Sequence, residues 1–408
     1  MSKLLLHTPE GVRDIYGNEL YMKRKTEGTI LKTFQSFGFH EIETPSFEYF
    51  SVFGNQVGTI PSRELYKFFD KEGNTLALRP DFTPSMARCA AKYYMDEDLP
   101  IRFCYAGKAF TNTSSLQGKL NEETQAGVEL MNDASAYADA EMIHMMITSL
   151  LEVGLKDFYV SVGQIDYFRG ICENEGMSEE LIETVREFIS LKNFFGLSDY
   201  LKDCNVSEDI QKQLVNIQDL FGDIEVVEKA LETAENACSA KALRRLKEIY
   251  DFLRMYGVQD YVIFDLGMVS KINYYTGVLF KAYTYGVGEA VAKGGRYDGL
   301  LSQFGKDASA IGFSIIIDDL LSAMDSQKLT EKKPQDELCF VYDEPMTEKM
   351  IRLKEDLRKK GIASHFLSSA FLDRYDDFKT DYRKVCRFKE DDIIDIESGK
   401  KISIESIN

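Results

Sequence analysis

Two periodicities divide this chain. Residues 101–110, 125–130 and 156–162 alternate or run apolar in the manner of strands, and residues 273–280 alternate aromatic with small residues. Residues 18–37 and 136–153 carry a helical period instead, the second with Asp139 and Glu141 near its start, where a negative charge suits the helix dipole. From about Gly170 to Gly257 the pattern is helical throughout, with segments near 178–191, 207–220, 224–237 and 240–256. A strand passing into a helix follows at 309–321, then a polar linker at 326–334. The remainder reads as a strand at 338–343, an amphipathic helix at 346–360, a strand at 363–367 and a hairpin around Ser398-Gly399.

Several polar residues stand out against this frame. The strand 76–80 runs through Pro80 towards a helix beginning near Thr83, and Asp81 and Thr83 are the residue types that cap such a helix. The same carboxylate and hydroxyl also suit an ammonium group. Gln125 and Glu129 lie four residues apart in a period-two strand and therefore share a face. Tyr274 and Tyr275, as strand neighbours, point to opposite faces. Gly294-Gly295 lets a backbone approach a ligand because no Cβ intervenes.

Composition narrows the classes. The chain has 408 residues with 44% hydrophobic content, which suits two or three domains of roughly 150 residues each. No apolar run reaches the roughly 18 residues of a membrane span, and the first ten residues lack a cleavable signal core, so a soluble cytoplasmic protein without membrane contact is expected. Seven scattered cysteines without a C-x-x-C pair, and only four histidines, support neither a metal site nor a disulfide framework. The formal net charge of −18 argues against nucleic-acid binding, which draws on Lys and Arg to neutralise phosphate.

Residues Asn273–Phe280 and Lys293–Leu300 resemble the two histidine-recognition signatures of histidyl-tRNA synthetase, a class II synthetase. Pro9-Glu10-Gly11-Val12-Arg13-Asp14 resembles that family's opening segment, and Ser309–Leu321 its third class II motif. The likeness covers about Pro9 to Leu321. It implies an α+β fold: a class II aminoacyl-tRNA synthetase-like antiparallel sheet flanked by helices, with a helical insertion and a small α/β C-terminal tail. The expected divisions are a core at 1–169 and 258–326, an all-helical insertion forming a separate lobe at 170–257, and a C-terminal region at 336–408. By resemblance the helix at 18–37 and the strand broken at Pro45 build a homodimer. The implied histidine-like pocket comprises Asp81, Thr83, Gln125, Glu129, Tyr274, Tyr275, Gly294, Gly295 and Arg296. Asp81 and Thr83 would hold the α-amino group, Gln125 would lie near the carboxylate and Glu129 on the imidazole.

The nucleotide-handling residues of that family are replaced. Where the second motif has Phe-Arg-x-Glu, this chain has Phe110-Thr111-Asn112-Thr113; Ser270 falls where an arginine is expected, and Asp318-Asp319 where Glu-Arg closes the third motif. Each arginine at a developing charge is worth on the order of a hundredfold in rate, so amino-acid activation should be lost. Lys271, Lys108 and Lys119 flank the vacated positions, but a lysine lacks the bidentate fork. A pocket that keeps its ligand contacts without reaction chemistry resembles the regulatory subunits of ATP phosphoribosyltransferase. That resemblance implies a chain without catalytic residues or cofactor, activating a separate short-form catalytic subunit within a hetero-oligomer. Histidine would be its feedback effector and tRNA no partner. The alternatives are a divergent histidyl-tRNA synthetase, or a synthetase-like protein that binds another small ligand.

Overall fold

The computed structural model describes residues 6–54, 60–113, 120–270, 275–335, 337–343, 347–389 and 392–403. The chain forms two compact units, Met1–Glu331 and Lys332–Asn408, divided within the polar run expected as a linker.

In chain order the first unit contains α1 (Gly17–Ser36), β1 (His40–Glu41), β2 (Phe47–Tyr49), β3 (Lys67–Phe69), β4 (Thr75–Leu78), α2 (Thr83–Tyr93), β5 (Ile101–Phe110), β6 (Glu122–Met131), α3 (Ala136–Glu152) and β7 (Phe158–Gln164). Helices α4 (Ile165–Asn174), α5 (Glu179–Ser190), α6 (Phe194–Asp203) and α7 (Glu208–Asn216) follow, then β8 (Phe221–Gly222), α8 (Ile224–Glu232) and α9 (Ala237–Tyr256). The unit closes with β9 (Val262–Asp265), β10 (Val278–Thr284), β11 (Ala292–Arg296), β12 (Ala310–Ile316) and α10 (Ile317–Ser326).

Its principal sheet has nine strands in the order β1-β5-β6-β12-β11-β10-β7-β9-β8. From β5 to β7 every pairing is antiparallel, which gives each strand one face towards the core and one away. The core face carries Cys104, Val128, Phe313, Gly294, Phe280 and Val162 in successive strands, and the side chains of this row pack with Ile30 and Phe34 of α1 and Met142 to Leu150 of α3. Burying such side chains is worth roughly 1.5 to 3 kcal/mol each, so this layer holds the sheet rigid behind the opposite face. Ser135 caps α3, its side chain accepting from the N–H of Ala138 at 3.1 Å.

The stretch expected as a separate all-helical lobe divides between two cores. Helices α4 to α7 form their own cluster around Phe168, Val185, Leu197 and Leu214. Helices α8 and α9 instead give Val227, Leu243 and Leu253 to the main core, and the short β8 pairs with β9 at the edge of the principal sheet. Apolar stripes on α8 and α9 thus pack together and onto the sheet layer in one core. Gly257 ends α9 in the left-handed region, φ 73°, where a side chain would be strained.

The second unit contains β13 (Leu338–Tyr342), α11 (Glu348–Lys359), β14 (Ser364–Ser368), α12 (Tyr375–Phe378), β15 (Lys384–Lys389), β16 (Asp392–Asp395) and β17 (Lys401–Ile402). These strands make a five-stranded sheet in the order β14-β13-β15-β16-β17. Leu353 and Leu357 of α11 cover it through Phe340 and Phe388.

Candidate functional site

The face of the principal sheet opposite the main core carries the candidate site. Register places Phe103, Glu129, Gly312, Gly295 and Leu279 in one row across β5, β6, β12, β11 and β10. The next row is Tyr105, Gly127, Ser314, Lys293 and Lys281. Glycines on this face leave room that other residues fill. A β-carbon on Gly127 would lie 2.5 Å from the Tyr105 hydroxyl, and one on Gly107 would lie 2.9 Å from both the Arg79 guanidinium and the Phe82 ring. A β-carbon on Gly312 would overlap the Glu129 carboxylate.

Glu129 is the centre of the site. It is 1% exposed, yet its carboxylate accepts a hydrogen bond from the Thr83 hydroxyl at 2.7 Å and another from the Tyr297 hydroxyl. Burial pushes its pKa up to about 8; the two hydrogen bonds oppose that rise and the nearby Asp81 adds to it. A carboxyl of this kind holds a proton near neutral pH until a cation or a strong donor enters. Tyr105 and Tyr275 are likewise raised, first by burial and then by the negative charge of Glu129 and Asp81.

Around this centre the first turn of α2 does two jobs. Asp81 accepts the backbone N–H of Thr83 at 3.0 Å, a local cap, whereas the Thr83 side chain turns away from the helix to reach Glu129. The Arg79 guanidinium lies 3.9 Å over the Phe82 ring, and that ring stacks on Tyr105 with centroids 4.1 Å apart. Arg79 also donates to the carbonyls of Lys108 and Thr44, at 2.8 Å and 2.7 Å. Gln125 is buried and donates to Glu123 at 2.7 Å, while its own carbonyl oxygen has no partner among the described residues. Glu123 is raised by burial, with the Gln125 bond pulling the other way.

The structure separates some expected site residues from this centre. Gly295 lies in the Glu129 row, and a β-carbon there would lie 2.8 Å from the Tyr275 ring. Gly294 and Arg296 lie on the opposite face, because neighbours in a strand alternate. A β-carbon on Gly294 would meet Phe313 and Phe280 of the core, so that glycine serves packing rather than ligand approach. Arg296 is buried against α3, donating to Asp139 at 2.9 Å and 2.5 Å and to Asp298 at 3.2 Å. Asp139 also receives Arg245 at 2.7 Å, so this guanidinium is committed to a buried ionic cluster, not to the pocket. Tyr274 lies outside the described residues. The strand expected from Asn273 begins at Val278, after a bend at Gly277 where the Arg296 side chain comes within 3.2 Å of where a β-carbon would lie.

A family model described as histidyl-tRNA synthetase matches residues 11–320. An ATP phosphoribosyltransferase regulatory subunit of Acetivibrio thermocellus is 39% identical over 89% of this chain and 87% of its own length. One from Ruminiclostridium cellulolyticum is 38% identical over 89% and 86%. The chain belongs to the ATP phosphoribosyltransferase regulatory subunits. A solved structure from Bacillus halodurans, described as an ATP phosphoribosyltransferase regulatory subunit/histidyl-tRNA synthetase, superposes with a TM-score of 0.84 at 31% identity, covering 94% of this chain and 98% of its own. A histidyl-tRNA synthetase from Nostoc gives a TM-score of 0.79 at 19% identity over 98% of each chain, a likeness of fold. The class II synthetase-like α+β architecture is therefore that of the regulatory-subunit family.

The regulatory subunit uses its substituted positions structurally. Asp318, 6% exposed, accepts Lys23 of α1 at 2.7 Å and the backbone N–H of Thr124 at 2.6 Å, joining α1, β6 and α10. Lys108 pairs with Glu122 instead of standing open for a phosphate. Ser270 is buried. Lys119 and Lys271 lie outside the described residues. Among the described residues no group of three or more His, Cys, Asp or Glu could hold a metal, and no helix is long and apolar enough to cross a membrane.

Tyr297, Tyr105, Arg79 and Phe82 build the site without having been singled out in the sequence. Tyr297 follows Gly295 by two residues, and that spacing was the available signal. Tyr105 sits three strands away from it, and no local pattern marks a buried tyrosine as a pocket residue.

Proposed function

We propose that this regulatory subunit binds histidine in the Glu129 pocket and conveys its presence to a separate short-form catalytic subunit of ATP phosphoribosyltransferase. The empty chain activates that partner and the filled chain inhibits it. One observation carries the reading: Glu129 is buried, oriented by the Thr83 and Tyr297 hydroxyls, and given its space by Gly312.

Such a group suits an imidazole. The protonated carboxyl passes its proton to the ring and becomes a carboxylate facing an imidazolium, a charge-assisted pair in a site that excludes water. Asp81 supplies an acceptor for the α-ammonium group, and the Gln125 carbonyl oxygen, without a partner among the described residues, moves Gln125 from the carboxylate, where the resemblance put it, to the same ammonium. Asp81, Thr83, Gln125, Glu129, Tyr275 and Gly295 are the pocket residues in this reading, and Tyr274 is retained from the sequence resemblance.

Non-catalytic action is supported by what replaces the phosphate-handling residues. Asp319 stands where the synthetase pattern has its arginine, and beside it Asp318 is a buried anion already paired with Lys23. Without fixed guanidinium groups a triphosphate lacks its transition-state contacts. The chain acts as a homodimer inside a hetero-oligomer and takes no tRNA, in keeping with its net charge of −18. Histidine can inhibit only by binding the inactive arrangement more tightly, with a coupling of about 1 to 3 kcal/mol.

The test is to titrate histidine into the chain bound to its catalytic partner. Saturable binding with loss of phosphoribosyltransferase activity supports the proposal. Histidine-dependent exchange of pyrophosphate into ATP by the chain alone would instead make it a synthetase.

A further inference from the structure

Beyond the Glu129 pocket, the same sheet face carries a row of cationic and hydroxyl side chains that the proposed function does not use. Ser161 of β7, Lys281 of β10, Lys293 of β11 and Ser314 of β12 stand directly across from one another in the strand register. Lys281 and Lys293 are thus a cross-strand pair of like charge, an arrangement that destabilises a sheet unless an opposite charge offsets it.

The protein's own carboxylates do not close this gap. Lys293 has Glu289 at 3.6 Å, a loose pair on a partly exposed side chain. Lys281 is half-buried and has no hydrogen bond or ion pair among the described residues. Asp265 and Glu289 lie near enough to favour its charge, yet burial and then the repulsion of Lys293 act more strongly, and Lys192 adds to that repulsion. On the far side of Lys281, Ser161 is 2% exposed and its hydroxyl has no partner among the described residues. Buried hydroxyls are ordinarily hydrogen-bonded, so a donor without an acceptor beside an unpaired ammonium marks a place where an acceptor belongs.

We propose that Lys281 and Lys293, with the neighbouring Ser161, form an anion subsite that takes a phosphate group. A phosphate held between the two ammonium groups offers them its negative charge and acceptor oxygens and leaves one acceptor for the neighbouring Ser161 hydroxyl, and lysine binds it as a point charge without the fork a guanidinium provides. The subsite lies one row, about 7 Å along the strands, from Gly295 and the Glu129 row. It does not depend on what fills the Glu129 pocket.

The test uses the full-length chain. Thermal unfolding is followed in inorganic phosphate and in pyrophosphate, with sodium chloride holding ionic strength constant, for the wild type, Lys281→Met and the remote control Lys32→Met. The expected result is a saturable upward shift in wild type and Lys32→Met, with apparent affinity weakened tenfold or more in Lys281→Met. Methionine keeps the apolar stem, and relief of the like-charge pair should leave the unliganded Lys281→Met at least as stable as wild type. No phosphate-specific shift in wild type, or an equal shift in all three proteins, overturns the subsite. A second arm compares histidine with histamine, which lacks the carboxylate. If Lys281→Met weakens histidine but not histamine, and phosphate has no effect, the row grips an amino-acid carboxylate and the phosphate proposal fails. Histidine binding to wild type is scored separately, so the two proposals can fail independently.

Discussion

Gly312 stands directly across from Glu129 in the pairing of β12 with β6, and its missing side chain is the space that the Glu129 carboxylate occupies. Gly312→Ala should therefore expel that carboxylate from its place between Thr83 and Tyr297. The expected outcome is a tenfold or greater loss of histidine affinity and a stability loss of about 1 to 3 kcal/mol from overpacking. Calorimetric titration and denaturant unfolding check the two effects separately.

The raised pKa of Glu129 has a consequence for stability. Its carboxyl keeps a proton in the fold up to about pH 8, whereas in the unfolded chain it ionises near its ordinary value of 4.5. Between those values the native state binds more protons, so this group's contribution is full below about pH 4.5 and is lost as pH rises through about 8. Glu129→Gln, which holds no titrating proton, should flatten that decline. Unfolding midpoints measured from pH 5 to pH 8.5 for both proteins test it; parallel curves would show that Glu129 is not the titrating group.

Thr83→Val keeps the shape of the side chain but withdraws one of the two hydroxyls that Glu129 accepts. Stability should fall by about 1 kcal/mol, and histidine binding should weaken because the carboxylate loses an orienting partner. If Thr83 merely capped α2, binding in the folded protein would be unchanged.

Arg296 gives the opposite contrast. Its guanidinium is engaged by Asp139 and Asp298 on the core side of β11, so Arg296→Met leaves Asp139 with Arg245 alone. The expected cost is about 3 to 5 kcal/mol, the range for breaking a buried ionic pair. Histidine affinity of the remaining folded protein should be near that of wild type. A selective loss of affinity without loss of stability would return Arg296 to the pocket.

The sequence carried the frame of this fold and half of its site. Alternation in 101–110 and 125–130 identified β5 and β6, and period two correctly put Gln125 with Glu129 on one face. The same rule, applied to Gly294-Gly295-Arg296, separates Gly295 from its two neighbours; the resemblance to a family signature treated the three as a unit. The helical pattern does not separate α6 from α5 and α7, because no strand lies between to mark its limits, and α4 starts at Ile165 directly after β7, earlier than the Gly170 at which the helical stretch is expected to begin. Tyr105 and Arg79 could not be recognised at all. Their importance comes from a stack with Phe82 across three elements, a relation of register and space that no local period encodes.

Glu129 is central as the proposed receptor for histidine that acts on a partner enzyme. The direct measurement is the inhibition of ATP phosphoribosyltransferase activity by histidine in the reconstituted complex, with wild-type chain and with Glu129→Gln. The expected result is inhibition by wild type and a tenfold or larger rise in the half-inhibitory concentration for Glu129→Gln, with the uninhibited rate retained. Equal inhibition of both complexes would contradict it.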